Sequence, residues 1–112
     1  MELLTKLEEL VLLTVLRLKE DAYGRTIYEE ILKATEKKMS VGNVYFPLER
    51  LTQKGYLYAF KGEPTRKRGG MGKRYYRITE RGIEILKETF KVNNYMWDNF
   101  SILLDSIDRS AR

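Results

Sequence analysis

The hydrophobic pattern of this 112-residue chain changes period at Gly55, and that switch limits the fold more than any other feature. Before it, apolar residues recur at three- and four-residue steps. After it come two short runs rich in β-forming aromatics, Tyr56-Leu57-Tyr58-Ala59-Phe60 and Arg74-Tyr75-Tyr76-Arg77-Ile78. Pro64 and the cluster Gly69-Gly70-Met71-Gly72 lie between them, so the two runs read as a hairpin with a long loop. The helical step then returns and holds almost to the end.

The first part divides into three helices. Thr5-Lys6-Leu7-Glu8 is a capping box that opens a helix at about Lys6. Leu7, Leu10, Val11, Val15 and Leu18 form its stripe, and Leu12, Leu13 and Leu16 widen it until the helix needs cover on more than one side. Asp21-Ala22-Tyr23-Gly24 breaks the pattern. A second helix follows from about Gly24 to Thr35, with Ile27, Ile31 and Leu32 inward. A third ends near Lys54, with Val44, Leu48 and Leu51 inward and Gly55 as its C-terminal cap. Its start is ambiguous: Ser40 and Asn43 are both competent N-caps, and Pro47 disfavours the earlier one unless the helix is kinked. Thr79 caps a last helix predicted to reach about Ile107. Three helices with a two-stranded appendix make a winged helix-turn-helix.

Charge is distributed unevenly. Lys61, Arg66, Lys67, Arg68, Lys73, Arg74 and Arg77 stand against Glu63 alone, so the hairpin carries +6 and the remainder of a +5 chain sums to −1. A basic, glycine-rich loop beside a helix-turn-helix suits contact with phosphates. The third helix offers Asn43, Tyr45, Glu49, Arg50, Gln53 and Lys54 on its outer side. Asn and Arg have the donor and acceptor geometry to read adenine and guanine, though Arg and Lys more often contact phosphates.

Other functions are disfavoured. The chain has no cysteine and no histidine, which removes disulfides, thiolate metal sites and the commonest general base. Gly69-Gly70-Met71-Gly72 precedes a strand rather than a helix, so it is no phosphate-cradling loop. The longest apolar run is too short to cross a membrane, and acidic residues precede it where a signal peptide would be basic. A cytoplasmic protein without catalytic residues, metal or cofactor is expected.

The last helix has its own pattern. Ile83, Leu86, Phe90, Asn93, Trp97, Phe100, Leu104 and Ile107 step by three and four over some 25 residues, a seam suited to a second helix. Together with Leu7 and Leu10 of the first helix, Leu86, Phe90, Asn93, Trp97, Phe100 and Leu104 are the predicted dimerisation residues.

Several segments resemble the PadR family of transcriptional regulators: Thr5-Lys6-Leu7-Glu8-Glu9-Leu10, Tyr23-Gly24, Gly42-Asn43-Val44-Tyr45, Leu48-Glu49-Arg50-Leu51, Lys54-Gly55-Tyr56-Leu57, Arg68-Gly69-Gly70 and Lys73-Arg74-Tyr75-Tyr76-Arg77-Ile78-Thr79-Glu80-Arg81-Gly82. The likeness covers about residues 3–90, and the hairpin portion is its most specific part. It implies a repressor that docks its third helix in the major groove, lays its wing along the backbone and dimerises through its first and last helices, with release by small molecules in some members. Many relatives carry tryptophan near the position of Asn93, whereas here Trp97 comes one turn later.

The resulting expectation is a mainly helical protein with a small hairpin. Residues 1–79 form a winged helix-turn-helix and residues 80–112 a long dimerisation helix. Tyr23, Arg25, Ser40, Asn43, Tyr45, Arg50, Lys54, Arg66, Lys67, Arg68, Lys73 and Arg74 are predicted to contact double-stranded DNA. Phe90, Asn93, Trp97 and Phe100 are the candidate site for a planar aromatic effector. The alternative keeps the fold and makes RNA or another protein the partner.

Overall fold

A computed structural model describes residues 2–37, 39–62 and 72–110. The first helix, α1 (Lys6–Leu18), starts where its capping box puts it. Thr5 Oγ1 accepts the Glu8 amide at 3.1 Å, and Glu8 Oε1 accepts the Thr5 amide at 2.9 Å. A 3-10 turn, Lys19–Asp21, leads to α2 (Gly24–Thr35) and α3 (Gly42–Gln53). Then come β1 (Leu57–Lys61) and β2 (Arg74–Ile78), followed by α4 (Glu80–Trp97) and α5 (Phe100–Ser110). The strands pair antiparallel, Leu57 opposite Ile78 and Lys61 opposite Arg74. The fold is therefore the expected winged helix-turn-helix with a long C-terminal helical segment.

α1 lies at the centre and touches α2, α3, α4 and β2. Val11, Leu12 and Val15 are buried against Ile27 and Ile31 of α2, Val44, Leu48 and Leu51 of α3, and Tyr76 of β2. Leu7 and Leu10, predicted to dimerise, pack partly buried against this core. The exposed leucines of α1 are Leu13 and Leu16, which the helical period alone does not single out.

One ionic network crosses this core. Glu8 is nearly fully buried, and its Oε2 lies 3.4 Å from both Arg50 Nε and Lys54 Nζ. Lys54 also pairs with Glu2 at 3.3 Å, and the Tyr56 hydroxyl donates to Glu2 at 3.1 Å. Burial pushes the Glu8 carboxyl up, but the Thr5 amide and the Lys54 and Arg50 side chains outweigh it and hold it below its ordinary value of 4.5. Burial likewise opposes the charge on Lys54, yet Glu2 and Glu8 together raise its pKa.

Both ends of α3 are now defined. The helix starts at Gly42 behind Val41, so neither Ser40 nor Asn43 is its N-cap, and Pro47 sits inside it. Pro47 is buried and leaves the Asn43 carbonyl without its intrahelical donor, a cost reduced by the exposure of Asn43 to water. At the other end Gly55 takes φ +81°, the left-handed conformation glycine adopts most easily. Its amide bonds the Thr52 carbonyl at 3.1 Å, and the Tyr56 amide bonds that of Leu51 at 2.9 Å, closing a Schellman motif. Thr79 Oγ1 then donates to the Gly55 carbonyl at 2.6 Å and accepts the Gly82 amide at 3.1 Å, fixing the start of α4 on the turn that ends α3.

The last helix departs from expectation. It breaks at Asp98-Asn99, where Asp98 turns extended (ψ 136°) and Asn99 enters the left-handed region at φ 60°. Asp and Asn favour their own backbone hydrogen bonds over helix, and Asn tolerates this conformation, so the apolar period runs across a junction that the backbone does not. The seam is thus two helices, not one. Asn93 is also no unpaired seam residue, because its Nδ2 donates to Glu9 Oε2 at 3.2 Å and ties α4 to α1.

Glu8→Gln keeps an oxygen for the Thr5 amide but removes the charge facing Lys54 and Arg50. It should lower stability by about 1.5–3 kcal/mol, the range for a hydrogen bond to a charged group. Because the folded Glu8 pKa lies below its unfolded one, its stabilisation is complete above the ordinary carboxylate value and lost as pH falls through the folded value. Urea melts across that acid range should show a steeper loss for the wild type than for Glu8→Gln.

Candidate nucleic-acid interface

α3 has two distinct faces. Val44, Pro47, Leu48 and Leu51 are buried, while Asn43, Tyr45, Phe46, Glu49, Arg50 and Gln53 are exposed. The Tyr28 hydroxyl donates to the Met39 carbonyl and pins the connector ahead of α3 to α2. Tyr45 crosses from α3 to the first turn of α2, where its hydroxyl end rests on Gly24; a Cβ there would collide with it. Tyr45 nevertheless stays 42% exposed, so it both packs the helix pair and presents surface.

The wing is held against the same corner. The Tyr76 amide donates to the Ala22 carbonyl at 2.9 Å, and Tyr23 bridges Tyr75 as a third short stretch beside β2. The Tyr23 and Tyr75 rings meet edge to face at 5.5 Å, and Lys73 Nζ lies 3.7 Å from the centre of the Tyr23 ring. Burial raises the Tyr76 hydroxyl pKa, which keeps that ring neutral in the core. Arg74 Nη1 reaches Glu49 Oε1 at 3.5 Å across the gap between β2 and α3. Both side chains are about half exposed, so the pair adds little stability. Its consequence is electrostatic: the carboxylate on the outer face of α3 has a cation beside it.

The predicted DNA-contacting residues therefore separate. Tyr23, Tyr45, Lys73 and Arg74 gather around the start of α2, the outer face of α3 and the base of the wing. Arg25 is exposed on the first turn of α2 and pairs with Glu29 at 3.1 Å. Ser40 and Asn43 are exposed at the beginning of α3. Arg50 and Lys54 are drawn to Glu8 at the N-terminus of α1, which makes them part of the fold's internal ionic network. The sequence shows them on the outer side of α3 but gives no hint of a carboxylate 42 and 46 residues away. Arg66, Lys67 and Arg68 lie outside the described residues.

Phe46 is not among the predicted contacts. It is 66% exposed between Asn43 and Glu49, three residues from each. Helical spacing from Asn43 places it outward, but a phenylalanine in a small domain reads by default as core.

A second surface lies at the far side of α1. Leu13, Leu16, Ile83, Leu86 and Phe90 line an open apolar groove between α1 and α4. Every described residue of α5 is exposed, including Ile102, Leu103, Leu104 and Ile107. At the α4–α5 corner Trp97 and Phe100 meet edge to face with ring centres 5.0 Å apart, both well exposed. Among the described residues, no helix is long and apolar enough to cross a membrane.

Residues 12–88 match the family model described as the transcriptional regulator PadR-like family. The fold is similar to that of a PadR family transcription regulator from Clostridium difficile (17% identity, 92% of this chain and 98% of that one, TM-score 0.66). A PadR-like transcriptional regulator from Bacillus cereus is similar at 23% identity, 90% and 89% coverage and TM-score 0.66. RosR from H. salinarum is similar at 20% identity, 97% and 96% coverage and TM-score 0.64. No curated protein matches the chain in sequence.

Gly24→Ala should displace Tyr45 while adding a better helix former, so unfolding stability should change by no more than about 1 kcal/mol. Affinity for a specific duplex should fall at least about fivefold if Tyr45 shapes the contact surface. Unchanged duplex affinity, measured by fluorescence anisotropy, would reduce Tyr45 to packing.

Proposed function

The chain belongs to the PadR-like family of transcriptional regulators, and from that premise we propose that it is a repressor that binds double-stranded DNA sequence-specifically, as a homodimer on an inverted repeat. One observation carries this reading. The exposed face of α3, the start of α2 and the base of a hairpin of net charge +6 lie at one corner of the molecule. In that arrangement α3 enters the major groove with Asn43 and Tyr45 toward the bases. Tyr23, Arg25, Ser40, Lys73 and Arg74 flank it at the phosphates, and Arg66, Lys67 and Arg68 extend along the backbone. Arg50 and Lys54 contribute mainly by orienting α3.

The homodimer rests on apolar surface. Leu13, Leu16 and Phe90, and Trp97, Phe100, Leu104 and Ile107 towards the end of the chain, are all large apolar side chains left exposed. A second copy of α4 and α5 would cover them. The exposed Trp97–Phe100 pair, with Phe90 nearby, has the flat apolar walls that suit a planar aromatic effector. Asn93, whose Nδ2 donates to Glu9, is the polar residue of this candidate site.

Selection from a random duplex pool should return an inverted repeat whose half-sites lie about one helical turn apart. Failure of the duplex pool to enrich while a parallel single-stranded RNA pool does, or enrichment of unpaired half-sites, would overturn the DNA reading or the two-fold one respectively. Replacing Arg66, Lys67 and Arg68 by Ala should weaken specific and unrelated duplexes alike. The slope of log affinity against log salt should become shallower by up to about 0.9 for each phosphate that the variant no longer neutralises. An unaltered slope would remove the wing from the interface.

A further inference from the structure

We propose that Phe46 is a specificity-determining residue of this protein, reading a thymine by contact with its 5-methyl group in the major groove. The inference rests on the DNA-binding reading above and assigns part of its sequence preference. Phe46 is a large apolar side chain held 66% exposed in the first half of α3, where every other large apolar side chain except Val41 and Tyr45 is turned inward. Its ring leans back toward the N-terminus of the helix: its Cε2 lies 3.9 Å from where a Cβ on Gly42 would stand. Val41, immediately before the helix, is also exposed, at 45%. This is the end of a reading helix that reaches base edges.

The arrangement around Phe46 argues against a purely structural role. Its two neighbours on Pro47's inner side, Val44 and Leu48, are fully buried without it, so the core is complete on that face. Its neighbours on the outer face are Asn43, Glu49 and Arg50, all polar and exposed. An exposed ring bordered by polar groups on a major-groove helix meets only one apolar feature in that groove, the thymine methyl. Cytosine, adenine and guanine present polar edges there, which the ring would desolvate without a bond in return.

Deoxyuridine differs from thymine by that methyl alone, which makes the test direct. A duplex selected by the wild-type protein from a thymidine-containing pool is remade with deoxyuridine at each thymine in turn. At the position facing Phe46, the substitution should weaken wild-type binding about three- to fivefold per half-site, as expected for one buried methyl-sized group. Phe46→Ala should lose that sensitivity, and Phe46→Leu should retain part of it. All three proteins should melt alike, since the side chain is mostly exposed. Wild-type binding that ignores every thymine methyl, or a Phe46→Ala protein that keeps the full deoxyuridine penalty, would overturn the assignment while leaving DNA binding intact. Failure to enrich any duplex at all would overturn the DNA reading itself, and this assignment with it.

Discussion

Everything in this fold follows from α1 being apolar on too many sides for its length. Val11, Leu12 and Val15 bury one side beneath α2, α3 and the base of the hairpin. That leaves Leu13 and Leu16 on the other side, beside Ile83, Leu86 and Phe90 of α4. A helix of 13 residues is marginal on its own in water, so its stability comes from these packed faces rather than from propensity. α1 thus acts as the wall between two surfaces, the polar reading corner on one side and the apolar groove on the other.

The Glu8 network gives that wall a direction. A carboxylate this buried is costly unless it is paired and hydrogen-bonded. Glu8 meets the requirement with an amide from its own capping box, one cation from α3 and one from that helix's C-cap. The same side chain therefore starts α1 and sets how α3 lies across it. Gly55 and Thr79 continue this logic, because the turn that ends α3 also fixes the start of α4. The reading face and the α4 side of the molecule are linked through rigid hydrogen-bonded turns rather than through a flexible connector.

The elements were legible in the sequence because each carries a local signal: the Thr5–Glu8 capping box, the left-handed Gly55, the aromatic strands and the Thr79 cap. Tertiary pairings were not. Arg50 and Lys54 look identical to groove-facing cations until a carboxylate from a distant helix turn is placed against them. Pro47 made the start of α3 ambiguous, since its cost depends on whether the freed carbonyl of Asn43 reaches water, which only burial reveals. The apolar period of the last helix concealed the break at Asp98-Asn99, because the spacing of apolar residues carries no record of where the backbone leaves the helix. Phe46 was hidden by its residue type, even though its spacing from Asn43 placed it outward.

The break in the last helix changes how the second surface can work. A single straight seam would bring Phe90, Trp97 and Leu104 to one line and demand a parallel or antiparallel partner along its whole length. With Asp98 extended and Asn99 left-handed, α5 is a separate helix that presents Ile102, Leu103, Leu104 and Ile107 exposed. This helix buries nothing on its own chain among the described residues, whereas α4 still contributes Ile85 to the core and Asn93 to α1. In the proposed homodimer, α4 is therefore the part whose position is set within each protomer, and α5 the part whose position is set by what covers it. The Trp97–Phe100 contact spans the junction between the two.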